Sequence, residues 1–568
     1  MFNTNKIVLF CILFLGLFLR LYGNNWDQGW HLHPDERFLT MVGVAVKIPS
    51  SIATYLDQHA SSFNPVNKGN SFFVYGTFPI LINKVAAQLL SQDTYEFFNL
   101  QGRSLSAVAD FFVILIIFKI VELVEKKLKL APSVKYLSAF FYAIAVLPIQ
   151  LSHFFTVDTF LNLFCWLSLY FAVRFNVLTF KRLNVLTDSS LSGLFLGLAF
   201  ACKVSAVYFA PLVGAFILIK LVSLSKLKMR VWIPACAGMT LFILFFYLAL
   251  RLGSPYYFET NNLFNPQLST VFTNSLNTLK SYENPQGFFP PAIQWLSKSY
   301  GFSLKNIIFF GVGPFYFVFS IIGIILLLKK KNIYIAVSIA WVIVLIIYQS
   351  FQFTKTMRYL IVIYPFLAIF AAVGLSFITK KINLISKPLC YMLHVTCYIV
   401  IFFWPLAFMS IYTKDHSRVE ASKWIFENIP PNSKLTYEYW DDSLPLAVQD
   451  PSTRNYQGIE IHIFDPDTKE KWNIINNQLS NADYYIMTSN RGWGSIGEAP
   501  NSYPLSSDFY KSMFKNTYGF TFVKKISSYP SLRYLGIPLE FPDQWSEEAF
   551  TVYDHPEVII FKKNLGFL

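Results

Sequence analysis

Residues 7–37 read IVLFCILFLGLFLRLYGNNWDQGWHLHPDER, an apolar run followed directly by a loop of histidines and acids. The run Ile7 to Leu21 is hydrophobic on every side, which predicts a helix surrounded by lipid. No small-residue cleavage site follows it, so we expect an uncleaved first span and not a secretory signal. The polar segment His31 to Arg37 is then expected at the membrane surface.

The composition extends this interpretation to most of the chain. Of 568 residues, 54% are hydrophobic, 18% are aromatic and only 14% are charged, whereas soluble domains carry about 25% charged residues. The six cysteines lie in apolar blocks without a CxxC pair, so neither a disulfide framework nor a cysteine metal site is expected. This composition excludes a soluble globular enzyme.

Apolar blocks of about 20 residues, the length that crosses a bilayer, recur along the chain. Lys203 interrupts the run 188–222, where we expect a tight external turn; one kinked or tilted helix is the alternative. The blocks predict about eleven transmembrane helices, near 7–21, 102–124, 136–152, 155–175, 188–203, 205–222, 231–251, 306–328, 333–350, 358–379 and 388–412.

Basic residues set the expected orientation. The chain has 47 Lys+Arg against 33 Asp+Glu, a net charge of +14, but the placement of these residues argues against a nucleic-acid partner. They cluster in alternate short loops, which is typical of cytoplasmic loops. We therefore expect a multi-pass protein of the cell membrane with a cytoplasmic amino terminus. The clusters lie at 126–135, 174–182, 226–230, 329–331 and 380–387.

Three long segments are expected on the external side: 23–101, 252–305 and 413–568. Within the last, the patterns predict helices at 419–428 and 470–479. They also predict strands at 434–439, 484–488, 520–526 and 558–562. The fold class is thus an α-helical polytopic membrane domain, residues 1–412, followed by an extracytoplasmic α/β domain, residues 413–568.

Three acids are candidate functional groups at the external membrane face. Asp35 and Glu36 are adjacent, so on a helix their side chains point about 100° apart and cannot both address one atom. Asp158, preceded by His153, lies at the external junction of two spans, and an ionisable residue at that depth indicates function. The alternative is structural: Asp35 and Asp158 each suit the first turn of a helix.

Three cations are expected at the same membrane face: Arg103, Lys203 and Arg358. Carboxylates facing cations indicate an anionic lipid headgroup and a hydroxyl to be deprotonated, although each cation alone also suits an interfacial side chain. The histidines His31, His33 and His153 could join Asp35 or Asp158 in binding zinc or manganese. Hydrogen-bonded interfacial histidines are the alternative.

The order of these motifs resembles the GT-C membrane glycosyltransferases over about the first 400 residues. More narrowly, it is similar to the phospholipid-carrier-dependent group related to protein O-mannosyltransferases and the lipid A aminoarabinose transferase. The C-terminal domain resembles one found on a prokaryotic branch of these proteins. The motifs are Asp35-Glu36, Tyr75-Gly-Thr-Phe-Pro79, Arg103-x-x-Ser106, His153-Phe-x-x-x-Asp158, Lys203, Arg358-Tyr359, Tyr364-Pro365, Trp424-Ile425, Tyr439 to Pro445 and Thr551 to Pro556.

The resemblance implies an inverting, single-displacement transfer of one sugar from a polyprenyl-phosphate carrier to an acceptor hydroxyl at the outer face. Asp35 is then the general base, with Glu36 beside it. Arg103 would hold the donor phosphate, with Lys203 and Arg358 as further candidates. The acceptor side would comprise Asp158, His153 and His33. Because the donor carries its own activated bond, no cofactor is required and a divalent metal is optional.

The implied partners are the polyprenyl-phosphate sugar, a lipid, glycan or protein acceptor, and membrane lipids. A lipid transporter or flippase is the alternative function, since many spans and intramembrane charges suit one too. Transporters usually show internal repeats, whereas here the charges gather at one face and the sequence shows no repeat. A purely structural protein acting through 413–568 leaves the clustered acids unexplained.

Overall fold

The computed structural model describes residues 4–177, 182–225, 229–283, 289–383, 387–448 and 455–564. Lys181, Lys226 and Lys228, which we expected in cytoplasmic loops, lie outside these ranges. The first half is helical. Its helices are α1 (Thr4–Leu21), α2 (Pro34–Ala45), α3 (Ile52–Leu56), α4 (Phe78–Leu89), α5 (Tyr95–Val124), α6 (Ser133–Ala143), α7 (Val146–Ser152), α8 (Asp158–Val177), α9 (Arg182–Cys202), α10 (Ala210–Ser225) and α11 (Met229–Gly253).

The helices continue through the rest of the membrane region and into the C-terminal domain. They are α12 (Thr270–Ser281), α13 (Pro290–Ile293), α14 (Phe302–Asn306), α15 (Pro314–Leu328), α16 (Ile333–Phe351), α17 (Tyr364–Ile382), α18 (Lys387–Met409), α19 (Ser417–Asn428), α20 (Lys469–Asn481), α21 (Pro504–Phe514) and α22 (Glu548–Thr551). A 3-10 helix, Met357–Ile363, leads into α17.

Each of the expected spans falls on one of these helices or on a bent pair of helices. By length and composition, 6 helices of the described chain can cross a membrane, or up to 8 if each bent pair is one span. The bends are 54° between α6 and α7 and 111° between the helical segment Phe302–Gly311 and α15. A multi-pass helical membrane protein is therefore found, but the count of about eleven crossings is not confirmed.

The apolar run 188–222 breaks at Lys203, so it is not one continuous helix. Lys203 is extended, with φ −161° and ψ 134°, between α9 and a 3-10 helix at Val204–Tyr208. The last carbonyl groups of α9 bind groups from other segments: Gly76 N–H donates to the Cys202 carbonyl at 2.9 Å, and Ser254 Oγ to that of Ala201 at 3.0 Å. These hydrogen bonds satisfy carbonyl groups that a further turn of α9 would otherwise bind.

Glycines let the membrane helices pack closely. A Cβ at Gly323 of α15 would collide with the Phe370 carbonyl of α17, and one at Gly374 of α17 would collide with the Phe319 carbonyl of α15. Small residues at such crossings bring two backbones together, which gives van der Waals contact that lipid cannot supply. The α15–α17 pair is therefore fixed on both sides by glycine.

Helix α2 is short and packs into a separate apolar cluster rather than into the main bundle. Leu39 and Val42 of α2 are buried with Ile80 of α4 and Phe98 of α5. A Cβ at Gly43 would collide with the Phe98 ring. This packing fixes α2 against the start of α5, and with it the two acids at the beginning of α2.

The C-terminal region forms a five-stranded sheet in the order β2-β1-β3-β5-β4. Strand β1 is parallel to β2 and β3, whereas β5 is antiparallel to β3 and β4. The four expected strands are present, and the edge strand β2 is the one that the sequence pattern missed. The strands are β1 (Lys434–Glu438), β2 (Gln457–Ile461), β3 (Tyr484–Met487), β4 (Phe520–Ile526) and β5 (Val558–Lys563).

A buried polar network docks this sheet onto the membrane helices. His555 lies between two carboxylates, with Nδ1 2.5 Å from Asp554 and Nε2 2.8 Å from Asp543. Burial opposes the imidazolium, but the two acids raise the pKa of His555 to about 10. Asp554 also accepts hydrogen bonds from Gln150 at 3.0 Å and Tyr412 at 3.0 Å. The network joins the sheet to α7 and to the residues after α18.

Candidate active site

Asp35 and Arg358 form the ion pair at the centre of the candidate site. Pro34 begins α2, and the His33 side chain accepts the Asp35 backbone N–H through Nδ1 at 3.2 Å. The Asp35 Oδ2 atom lies 2.8 Å from Arg358 Nη1, and the two side chains are 30% and 20% exposed. A substrate can therefore reach both groups.

Asp158 and Lys203 extend this pair into an alternating string of charges. Lys203 Nζ lies 2.8 Å from Asp158 Oδ1, and Arg358 Nε lies 3.8 Å from Asp158 Oδ2. Asp158 is the first residue of α8, and Lys203 is the extended residue between α9 and α10. The breaks that end these helices thus bring four residues together, two acids and two cations, which we define as the charged string Asp35–Arg358–Asp158–Lys203.

The environment of Asp35 keeps its carboxylate ionised. Burial raises the pKa of Asp35, but Arg358, His33 and Lys203 oppose it and hold the pKa at about 2. Burial also lowers the pKa of His33 to about 3, so that imidazole is neutral near pH 7. Asp35 is therefore available as a proton acceptor, although Arg358 weakens its basicity.

Arg103 belongs to a different, fully buried cluster. Two of its N–H groups bind Asp27 at 2.9 and 2.7 Å, and two bind Glu36 at 2.9 and 2.7 Å. The fifth donates to the Asn24 carbonyl at 3.1 Å, and the guanidinium lies 4.6 Å from the centre of the Trp26 ring. All five donors are bound within the protein, which leaves none for a phosphate.

Glu36 shares this structural role. Besides binding Arg103, its Oε1 atom accepts the Phe155 backbone N–H at 2.5 Å, and the residue is 0% exposed. Glu36 therefore ties α2 to α5 and to the loop before α8, while its neighbour Asp35 points to Arg358. Asp27 was missed by the sequence analysis; the signal available was an acid in the loop directly after the first apolar run.

The two histidines expected on the acceptor side are buried and packed. The His33 ring stacks on Tyr553 with centroids 3.9 Å apart. The ring nitrogens of His153 lie 2.8 Å from the Ile149 carbonyl and 2.9 Å from the Tyr22 carbonyl. Neither histidine adds a free ring to the charged string.

The candidate metal ligands do not lie together in the described residues. Within the described residues, no three or more His, Cys, Asp or Glu side chains are placed to hold an ion. His31, the third candidate ligand, lies 4.4 Å from the Tyr95 ring centre, while Asp35 and Asp158 are each paired with a cation.

The C-terminal domain contributes two side chains that the sequence analysis did not single out. Tyr553 lies in the motif Thr551 to Pro556 and stacks on His33. Glu547 accepts hydrogen bonds from Thr356 Oγ1 at 2.9 Å and from the Met357 N–H at 2.7 Å, directly before Arg358. The site is thus formed by the membrane helices together with the domain that follows them.

Comparison with known proteins gives matches in structure only. No protein-family model matches the sequence, and no curated protein matches it. The archaeal oligosaccharyltransferase AglB from Archaeoglobus fulgidus, in complex with an inhibitory peptide and a dolichol-phosphate, matches with a TM-score of 0.53 at 12% identity, covering 98% of this chain and 88% of that chain. Its apo form matches with a TM-score of 0.53 at 14% identity, over 91% and 73% of the two chains.

ArnT from Cupriavidus metallidurans bound to undecaprenyl phosphate is also similar, with a TM-score of 0.45 at 11% identity over 99% of this chain and 98% of that chain. The archaeal enzyme, with the TM-score of 0.53, is a GT-C glycosyltransferase. Its similarity extends over the membrane helices and the C-terminal sheet alike, since it covers nearly all of this chain. The chain therefore has the fold of the GT-C membrane glycosyltransferases.

Proposed function

We propose that this protein is a membrane glycosyltransferase that moves one sugar from a polyprenyl-phosphate carrier to an acceptor hydroxyl. The observation that carries this proposal is the charged string Asp35–Arg358–Asp158–Lys203, partly exposed where α2 and the ends of membrane helices meet. The fold supports it, because the archaeal enzyme of the same fold was solved with a dolichol-phosphate. Fold alone does not establish function, so the charged string is the main evidence.

The string supplies the groups that a single displacement needs. Asp35 accepts the proton of the acceptor hydroxyl as the oxygen attacks the anomeric carbon. The bond from that carbon to the phosphate oxygen breaks, and its electron pair remains on the polyprenyl phosphate. Arg358 and Lys203 stabilise the charge that develops there. The proposed displacement is direct, with the base and the leaving group on opposite sides of the sugar, and such a displacement inverts the configuration at the anomeric carbon.

The phosphate contact is assigned to Arg358 and Lys203 instead of Arg103. Arg358 is 20% exposed and Lys203 is 13% exposed, whereas the Arg103 side chain is 1% exposed. A guanidinium binds phosphate through two parallel N–H groups. Arg103 and Glu36 instead hold the beginning of α2, and so set the direction in which Asp35 points.

Arg358 also links donor binding to the basicity of Asp35. The 2.8 Å ion pair with Arg358 lowers the proton affinity of the Asp35 carboxylate. A phosphate that binds Arg358 competes for the same guanidinium, and this raises the proton affinity of Asp35. The base is therefore strongest when the donor is in place, which suits an ordered reaction with the donor first.

The proposal also covers the side of the membrane on which transfer occurs and the kind of acceptor that is used. The reaction takes place on the side of the C-terminal domain, which we assign to the outer face. Asp158 lies beside Arg358 and orients it, while the lipid tail of the donor runs between the membrane helices. The acceptor is a lipid, a glycan or a protein that presents a hydroxyl group.

A transfer assay tests the proposal. The purified full-length protein in lipid is given radiolabelled polyprenyl-phosphate sugars and a crude envelope acceptor, and the wild type is compared with Asp35→Asn. The matched control is Asp93→Asn, because Asp93 is 31% exposed and also paired with a cation, Lys84 at 2.6 Å.

We expect transfer by the wild type and by the control, and none by Asp35→Asn. Full turnover by Asp35→Asn would remove Asp35 from the role of base. Saturable donor binding without transfer of any sugar, together with movement of the lipid across the bilayer, would favour the flippase alternative.

A further inference from the structure

We propose that Glu547 of the C-terminal domain is a positioning residue for Arg358, so that the C-terminal domain completes the active site of the membrane domain. This inference rests on the proposed function for its effect on transfer. Its structural part, the hold of Glu547 on the backbone at Met357 and Arg358, stands on contacts in the protein alone.

The Glu547 carboxylate binds the beginning of the helix that carries Arg358. Its Oε1 atom accepts from Thr356 Oγ1 at 2.9 Å, and its Oε2 atom accepts the Met357 N–H at 2.7 Å. Thr356 Oγ1 in turn accepts the Arg358 N–H at 3.2 Å. The carboxylate thus binds Thr356 and Met357 directly and reaches the Arg358 backbone through the Thr356 hydroxyl group.

Glu547 is itself held rigidly. It is 2% exposed, and its backbone N–H donates to Asn306 Oδ1 at 2.8 Å, on α14. The next residue, Glu548, binds Arg491 of the C-terminal domain at 2.7 Å. The segment before α22 therefore lies between the membrane helices and the sheet.

The same segment also supports Asp35, the other member of the ion pair with Arg358. Tyr553 stacks on His33, and His33 accepts the Asp35 N–H. Two residues six positions apart in the C-terminal domain thus support the backbone at Arg358 and at Asp35. A contact that only docks the domain could lie anywhere on the interface. The contacts of Glu547 and Tyr553 instead both lie next to the Asp35–Arg358 ion pair.

Positioning of this kind has a large effect on rate. Misplacing a catalytic group by about 1 Å can cost about 100-fold in turnover. Loss of Glu547 frees the Met357 N–H and the Thr356 hydroxyl, so Arg358 leaves its place beside Asp35 and Asp158. The docked domain keeps the separate network of His555, Asp543 and Asp554.

The test compares Glu547→Ala, Glu547→Gln and the control Glu548→Ala in the full-length protein in lipid. Glutamine can accept the Met357 N–H with its oxygen and donate to Thr356 Oγ1 with its nitrogen, so it restores both contacts. Glu548→Ala breaks the adjacent buried pair with Arg491 and lowers the melting temperature without touching Thr356 or Met357.

Two measurements are made on each variant. The first is hydrogen exchange at the amides of Met357 and Arg358, which needs no substrate. The second is kcat/KM for transfer. We expect Glu547→Ala to speed exchange at these amides and to lower kcat/KM about 100-fold. Glu547→Gln should restore both values, and Glu548→Ala should leave both close to wild type.

The results separate this inference from the proposed function. Unchanged exchange in Glu547→Ala would overturn the inference, as would an equal loss of transfer in Glu548→Ala. If the wild type transferred no sugar, the proposed function would fail, and the exchange data would still decide whether Glu547 holds the backbone at Arg358.

Discussion

Asp35 and Glu36 are adjacent in α2, yet their carboxylates bind different arginines. Asp35 lies 2.8 Å from Arg358, in a partly exposed pair, and Glu36 lies 2.7 Å from Arg103, in a buried one. Consecutive residues of a helix point about 100° apart, so one dipeptide serves two clusters. The buried pair fixes the helix, and the partly exposed pair is the one that we propose carries the chemistry.

Arg103→Ala should act on stability. The substitution leaves Asp27 and Glu36 buried without a counter-charge, which costs about 3–5 kcal/mol. We expect a lower melting temperature in detergent and less folded protein. The control is Arg533→Ala, whose pair with Glu540 at 2.9 Å is exposed and is worth less than about 1 kcal/mol. If the Arg103→Ala protein folded stably and only its donor KM rose, Arg103 would be a phosphate-binding residue.

Lys203→Gln should act on donor binding. A hydrogen bond to a charged group is worth about 1.5–3 kcal/mol, which corresponds to a rise of about 10- to 150-fold in the donor KM. We expect that rise together with a smaller change in the acceptor KM, measured by steady-state transfer. Lys68→Gln, on an exposed part of the segment 23–101, serves as the control. Equal KM values for Lys203→Gln and the wild type would exclude a role in holding the phosphate.

The pH dependence of transfer should depend on Arg358. A carboxylate base works only when ionised, so activity falls as the pH drops through its pKa. Because the pKa of Asp35 is held at about 2, the wild type should show no loss from Asp35 at mildly acidic pH. The substitution Arg358→Gln removes the contact that lowers the pKa of Asp35 most. His33, Lys203 and the acid Asp158 remain near Asp35. Burial then raises the pKa of Asp35.

The acid limb of kcat/KM against pH should therefore move to higher pH in Arg358→Gln. The measurement is a pH–rate profile of both proteins in the same lipid. The conservative variant Arg358→Lys keeps a positive charge and should move the limb less. Identical acid limbs in the wild type and Arg358→Gln would show that this guanidinium does not set the basicity of Asp35.

We expect the ring of Tyr553, and not its hydroxyl group, to support transfer activity. The ring stacks on His33, which accepts the Asp35 N–H at 3.2 Å. Tyr553→Phe keeps the stacking, and we expect transfer close to that of the wild type. Tyr553→Ala removes it and should lower kcat about 10-fold or more, because the beginning of α2 is less well held. Equal activity of the phenylalanine and alanine variants would contradict this role.

The orientation can be tested with single cysteines in a variant whose six native cysteines are replaced. Ala60→Cys lies on an exposed part of the segment 23–101, which we assign to the outside. Lys330→Cys lies in the basic loop 329–331, which we assign to the cytoplasm. An impermeant maleimide added to intact cells should label the first and spare the second. The reverse labelling would overturn the outer-face assignment.

The sequence predicted much of the architecture because local physics decides it. In lipid a backbone must satisfy its own hydrogen bonds, so each long apolar block becomes a helix. The break at Lys203 and four of the five strands of the C-terminal sheet were predicted in the same way, from local patterns. Edge strand β2 was missed, because Gln457 to Ile461 is half exposed and contains a glycine, so its alternation is weak.

The candidate site was predicted in part. Asp35, Asp158, Lys203 and Arg358 were expected at one membrane face, and the structure brings them into one string. Their pairing was not predictable, because the partners lie far apart in the chain and their distances depend on how the helices pack. The sequence could not show that Arg103 is saturated by Asp27 and Glu36, since that depends on three segments meeting.

The sequence by itself thus determined that the chain is a helical membrane protein with a C-terminal α/β region and charged residues at the helix ends. Hydropathy and charge decide this, and both can be counted along the chain. Only the tertiary structure decided which charges are buried in pairs and which remain partly exposed. It also placed Glu547 and Tyr553 beside the Asp35–Arg358 pair, because contact between residues so distant in the chain arises only when the whole chain is packed.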